Sequence, residues 1–154
     1  MIRLSYDILV DCSTITAFDR MLGLSNVETY QQWTSVFSPT SSYEGDWKEN
    51  GKMLFTSLNK EGKKEGMVSK ILKLNENAFV SIQHIGMLKD GKEIVDGPEI
   101  DSWAGGLENY SFEEEGSQTR LTVEVDTLAD YKEYMDKLYP KALEKLKEVC
   151  ESSF

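Results

Sequence analysis

The sequence predicts an α+β domain in the order strand, two short helices, six strands and one long C-terminal helix. Three observations lead there. Apolar residues alternate with polar ones over residues 2–10, recur at spacings of three and four over residues 15–37, and return to alternation between turn residues from Ser42 to Thr127. A second helical spacing, from about residue 130 to 151, closes the chain. No repeat, low-complexity tract or Pro/Gly-rich linker interrupts these segments, so residues 1–154 are expected to form one domain. A chain of this length buries roughly 70% of its unfolded surface, enough for one core.

The first strand puts Ile2, Leu4, Tyr6, Ile8 and Val10 on one side and Arg3, Ser5, Asp7 and Asp11 on the other, the pattern of a half-buried strand. Phe18, Met21 and Leu22, then Val27, Tyr30, Trp33, Val36 and Phe37, form two amphipathic helices parted at Gly23. Ser25 is expected to cap the second, with Glu28 three residues later completing a capping box. Asn50-Gly51 and Asp90-Gly91 are hairpin dipeptides, residues 62–66 and 75–77 are polar turns, and Glu115-Gly116 closes the last hairpin. Strands joined by turns this short run antiparallel. Residues 96–106 (DGPEIDSWAGG) are the one longer irregular connection.

The last strand alternates Leu121, Val123 and Val125 with Thr122, Glu124 and Asp126. Asp130 and Glu133 are expected to cap the final helix, whose buried stripe runs through Tyr131, Tyr134, Leu138, Ala142, Leu146 and Val149. At 1.5 Å per residue it is roughly 32 Å long. Pro140 inside it removes one backbone donor and predicts a bend around Tyr139.

Composition excludes several functions. With 17 Lys and Arg against 27 Asp and Glu the net charge is −10, and the cations are scattered, so no nucleic acid partner is expected. No apolar run reaches the length of a membrane-spanning helix. The N-terminal residues MIRLSYDILVDC lack the continuous apolar core of a signal peptide, and a cytoplasmic location is expected. Cys12 and Cys150 are too few for a disulfide framework or a cysteine zinc site, and two reduced thiols are expected in preference to one disulfide. No phosphate-binding loop, nucleophile elbow or dinucleotide fingerprint is present, and neither a cofactor nor a metal is expected.

Several segments carry a resemblance. TYQQWTSVF (29–37) and SSYEGDWKENGKMLF (41–55) are similar to a tryptophan-ended second helix and the glycine-rich strand pair after it. SIQHIGMLKDGKEI (81–94), WAGGLENYSFEEEGSQTRLTVEVDT (103–127) and LYPKALEKLKEVCE (138–151) are similar to the later strands and kinked final helix of the same family. With the element order, they resemble the SRPBCC, or START and birch-pollen-allergen-like, superfamily, in the branch of the activator of heat-shock protein 90 ATPase homologues. The resemblance implies the helix-grip fold, a curved antiparallel sheet of about seven strands wrapped around the long helix. The superfamily also holds carriers, polyketide cyclases and hydrolases. The eukaryotic activators add an N-terminal domain that supplies much of the chaperone contact; these 154 residues hold no counterpart, so a ligand cavity is expected before chaperone regulation.

A curved sheet cannot bring its whole concave face onto one helix, and large aromatics either line or fill the space between. Trp33 and Phe37 on the second helix, Tyr43 and Phe55 on early strands, Trp103 in the long connection and Tyr110 beside Phe112 on the sixth strand are the candidates. His84 is the single histidine and alternates with Val80, Ile82 and Gly86. Facing inward it is a titratable cavity group; facing outward it is a structural histidine. Glu108 shares a strand face with Tyr110 and Phe112, and in the helix-grip order its strand neighbours that of His84, so the two are expected to pair if both face inward. That pair would anchor a ligand headgroup or serve as an acid/base couple.

Three functions follow. The first is non-enzymatic binding of a hydrophobic or amphipathic small molecule between sheet and helix, as a monomer or homodimer. The second is a cyclase-, dehydratase- or hydrolase-type enzyme using His84 and Glu108. The third is an interaction module for a chaperone or another protein, acting through the sheet edge or the last helix.

Overall fold

The strict alternation of residues 118–127 survives intact in the computed structural model, which describes residues 1–153. Every second residue of this strand, from Thr119 to Thr127, is buried. It is β8 (Gln118–Thr127), paired on one side with β1 (Ile2–Val10) and on the other with β7 (Leu107–Glu115). The sheet continues through β5 (Phe79–Lys89), β4 (Lys64–Asn75) and β3 (Lys52–Leu58) to β2 (Ser42–Gly45), every pair antiparallel. A short eighth strand, β6 (Lys92–Ile94), pairs with the far end of β5. The helices are α1 (Thr14–Leu22), α2 (Val27–Thr34) and α3 (Lys132–Glu151), the last entered through a 3-10 turn at Ala129–Tyr131. A curved antiparallel sheet grips the long C-terminal helix, which is the helix-grip fold.

The eighth strand arises at Asp90-Gly91, where φ values of 51° and 79° give the left-handed pair that a two-residue hairpin requires. At three residues it is too short to show a period in sequence. Asn50-Gly51 behaves differently from its expected hairpin. Only Asn50 is left-handed, and its N–H and the Gly51 carbonyl bond Ile71 at 2.7 and 3.0 Å, so the dipeptide prolongs the β3–β4 pairing. Gly66 belongs to β4 rather than to the preceding turn, which is closed by the Asn59 side chain accepting from the N–H groups of Glu61 and Lys63.

Two caps differ from expectation. Asn26, not Ser25, caps α2 by accepting from the Glu28 N–H at 3.0 Å, because the Ser25 hydroxyl is drawn back to Asp19 at 2.7 Å. Asp130 lies in the 3-10 turn, and α3 begins without a side-chain cap. The buried stripe of α3 also begins later than expected. It comprises Tyr139, Ala142, Leu143, Leu146, Val149 and Cys150, while Tyr131 and Tyr134 remain 53% and 47% exposed.

The core lies between the concave sheet face and the three helices, where Met21, Trp33, Met53, Ile82, Leu121 and Leu146 are almost fully buried. The C-terminal end of α3 is tied to α1. The Arg20 guanidinium donates to the carbonyls of Val149, Cys150 and Ser152 at 2.7, 3.0 and 2.5 Å, placing positive charge where the helix leaves its carbonyls unpaired. Arg20→Met is expected to lower stability by about 1–2 kcal/mol. Urea denaturation followed by circular dichroism measures this, and an unchanged midpoint refutes it. Both cysteines are free.

Candidate functional site

A cavity of about 720 Å³ remains between the concave face of the sheet and the N-terminal half of α3. Period-two alternation turns Phe55 and Met67 into it from β3 and β4, Ile82 and His84 from β5, and Glu108 and Tyr110 from β7. Trp33 and Phe37 close one wall from α2 and the segment after it, and Tyr139 closes another from α3. At the mouth stand Trp103 and Glu99 of the irregular connection opposite Tyr131 and Tyr134.

A β-bulge shapes the β5 wall. Ser69 pairs with His84, but the neighbouring Val68 pairs with Gly86, so Ile85 is an extra residue on β5. The side-chain alternation shifts by one there. Met87, rather than the expected Gly86, therefore follows His84 on the cavity wall, and Gly86 packs under the backbone of Ile94 and Val95.

His84 and Glu108 face inward and touch. Glu108 stands opposite Ile82 in the β5–β7 register, so His84, two residues on, is its diagonal neighbour on the same face. His84 Nε2 lies 3.0 Å from Glu108 Oε1, with the two side chains 12% and 16% exposed. The other imidazole nitrogen, Nδ1, lies 2.7 Å from Ser69 Oγ. Glu108 Oε2 accepts from the hydroxyls of Tyr110, at 3.2 Å, and Tyr139. Tyr139 is itself held by rings, stacked on Tyr6 with centroids 5.2 Å apart and edge-on to Phe37 at 5.1 Å.

Burial of Glu108 pushes its pKa up, but the imidazole and the two phenols bound to it outweigh that and hold the carboxyl below its ordinary value. Burial, and then the charge on Glu108, raise both Tyr110 and Tyr139, so the phenols stay protonated and donate. An ionised Glu108 therefore rests on three donors. The order Ser69, His84, Glu108 repeats the components of a hydrolytic triad, yet the serine is fully buried behind the imidazole and the carboxylate faces the cavity. The serine is thus placed to orient His84 rather than to attack a substrate.

Of the eight candidate residues, Trp33, Phe37, Phe55, His84, Trp103, Glu108 and Tyr110 stand on the cavity wall. Tyr43 does not. Its hydroxyl reaches away to the carbonyls of Leu22 and Gly23 at 2.8 and 3.1 Å, and its ring backs Tyr30 and Phe55. Sequence reasoning passed over Ser69 and Tyr139. Ser69 shares the inward alternation of Met67 and Ile71, and Tyr139 precedes Ala142 and Leu146 at helical spacing, so each had a weak signal.

The sequence matches no family model and no curated protein. Solved structures share its fold. The Aha1 dimer from Colwellia psychrerythraea is 19% identical with a TM-score of 0.69, covering 98% of this chain and 97% of that one. Protein NE0264 from Nitrosomonas europaea is 14% identical with a TM-score of 0.70, covering 96% and 93%. CalU16 from Micromonospora echinospora is 15% identical with a TM-score of 0.64, covering 97% and 76%. Among the described residues no helix is long and apolar enough to cross a membrane.

Proposed function

We propose that this chain is one domain that binds an apolar or amphipathic small molecule between its sheet and α3, and that it does so without catalysis. The cavity carries this reading. Its volume of about 720 Å³ falls within the roughly 300–1,000 Å³ of small-molecule sites, and aromatic and aliphatic side chains dominate its wall around one polar centre. The arrangement of that centre favours an anchor over a reaction, since the Glu108 oxygens are engaged by protein donors and Ser69 is shielded by His84.

Titration with the neutral fluorophore N-phenylnaphthylamine tests the reading. A saturable rise in its emission is expected, and native mass spectrometry of freshly purified protein is expected to show excess mass. Met135→Trp, which enlarges a side chain on the cavity wall, is expected to weaken the fluorophore by about tenfold while the circular dichroism spectrum is kept. Absence of saturable binding to the unsubstituted protein refutes the proposal.

A further inference from the structure

We infer that the ligand of this cavity carries a headgroup that donates hydrogen bonds, an alcohol or an amine, and that the site discriminates against carboxylates. The inference rests on the cavity-binding reading and names the class of molecule it takes.

The first argument counts donors. His84 Nε2, the Tyr110 hydroxyl and the Tyr139 hydroxyl all bond Glu108, so the polar centre spends its donors on its own carboxylate. The indoles are also engaged, Trp33 donating to the Met21 carbonyl at 2.8 Å and Trp103 to that of Glu99 at 3.1 Å. Thr34 donates to the Tyr30 carbonyl at 2.7 Å. Among the described residues of the lining, the hydroxyls of Tyr30, Ser41, Thr127, Tyr131 and Tyr134 are donors not so engaged, and neutral hydroxyls do not compensate an anion. Acceptors remain. A carboxylate offers about four lone-pair sites and three are filled at Glu108, while each phenol oxygen that donates to it still accepts. A guest that donates to Glu108 completes this set, whereas a guest that accepts at that centre must break it.

The second argument is charge. Among the described residues, Glu99, Glu108 and Asp126 line the cavity, and no lysine or arginine does. Asp126 and Glu99 are matched from outside the lining, by Arg3 at 2.8 Å and Lys89 at 3.8 Å. At Glu108 the sole basic partner is His84, already bonded. A second carboxylate brought there meets a like charge in a low-dielectric site, which weakens its binding by at least about tenfold. An ammonium group meets the opposite: the Glu108 charge and the faces of Tyr110, Tyr139 and Phe37, which attract cations.

Displacement of N-phenylnaphthylamine by dodecanol, dodecylamine and dodecanoate, each below its micelle-forming concentration, holds the chain constant and varies the headgroup. The alcohol and the amine are expected to displace the fluorophore at concentrations at least about tenfold lower than dodecanoate. Dodecanoate equal to or better than the other two overturns the headgroup inference and leaves cavity binding standing. Failure of all three to displace bound fluorophore also overturns the headgroup inference, and absence of saturable fluorophore binding in the first place overturns the cavity reading with it. In Glu108→Gln the separation between amine and carboxylate is expected to collapse to within about threefold, and a separation that persists in a folded variant also overturns the assignment. The unsubstituted protein decides the question by itself if that variant does not fold.

Discussion

Gly66→Ala is expected to destabilise the protein by about 3 kcal/mol or more, with loss of ligand binding. Gly66 sits within β4 at φ 141°, a conformation that side chains rarely adopt. A Cβ there would lie 1.9 Å from the Phe55 carbonyl oxygen and 2.9 Å from its carbon. Those atoms are backbone of the adjacent strand and cannot rotate aside, so β3 must separate from β4. Phe55 stands on the cavity wall and moves with it. Gly62 supplies the control. It too is left-handed, at φ 76°, but nothing lies within 4 Å of its added Cβ, so Gly62→Ala is expected to cost only about 1 kcal/mol. Urea denaturation of both variants separates steric exclusion from backbone strain, and equal losses would contradict the geometry.

Glu108→Ala is expected to cost about 3–5 kcal/mol, because truncation strands three buried donors at once: the imidazole N–H and two phenols. Glu108→Gln keeps the volume and one acceptor oxygen and is expected to cost less than half as much. The carboxylate also makes stability depend on pH. Its folded pKa is depressed below the ordinary value of 4.5, so its contribution is complete above that value. The contribution declines as pH falls through about 4.5 and is lost below the folded pKa. From about pH 6 to about pH 3, the urea midpoint of the unsubstituted protein is expected to fall more steeply than that of Glu108→Gln. The depressed Asp126, Asp136 and Glu151 are present in both proteins and cancel in the comparison. Parallel profiles would show that the ionised form of Glu108 is not the one the cavity stabilises.

Much of this site was legible before any coordinates. Two inferences reached Glu108 and His84: the shared strand face with Tyr110 and Phe112, and the neighbouring strands of a helix-grip sheet. The first depends on alternation, which carries over a few residues, and the second on the strand order that the family resemblance implies. Tyr43 is a cavity candidate in sequence only as a large aromatic on an early strand. Residue type alone does not say where a ring points, and the carbonyls freed at the end of α1 draw the Tyr43 hydroxyl toward Leu22 and Gly23. Tyr131 and Tyr134 keep helical spacing yet stay exposed, because they line the open cavity instead of packing into the core.

The sequence by itself determined the kinds of element, their order and their antiparallel joining, because hydrophobic period and turn chemistry are properties of adjacent residues. Tertiary structure alone decided how those elements meet. The extra residue at Ile85, which turns Met87 inward in place of Gly86, is a relation between the hydrogen bonds of two strands and exists in neither one separately. The convergence of Tyr139 from α3, Tyr110 from β7 and His84 from β5 on Glu108 joins three elements far apart in the chain. A buried carboxylate survives only where such donors arrive together, and no local pattern encodes their arrival.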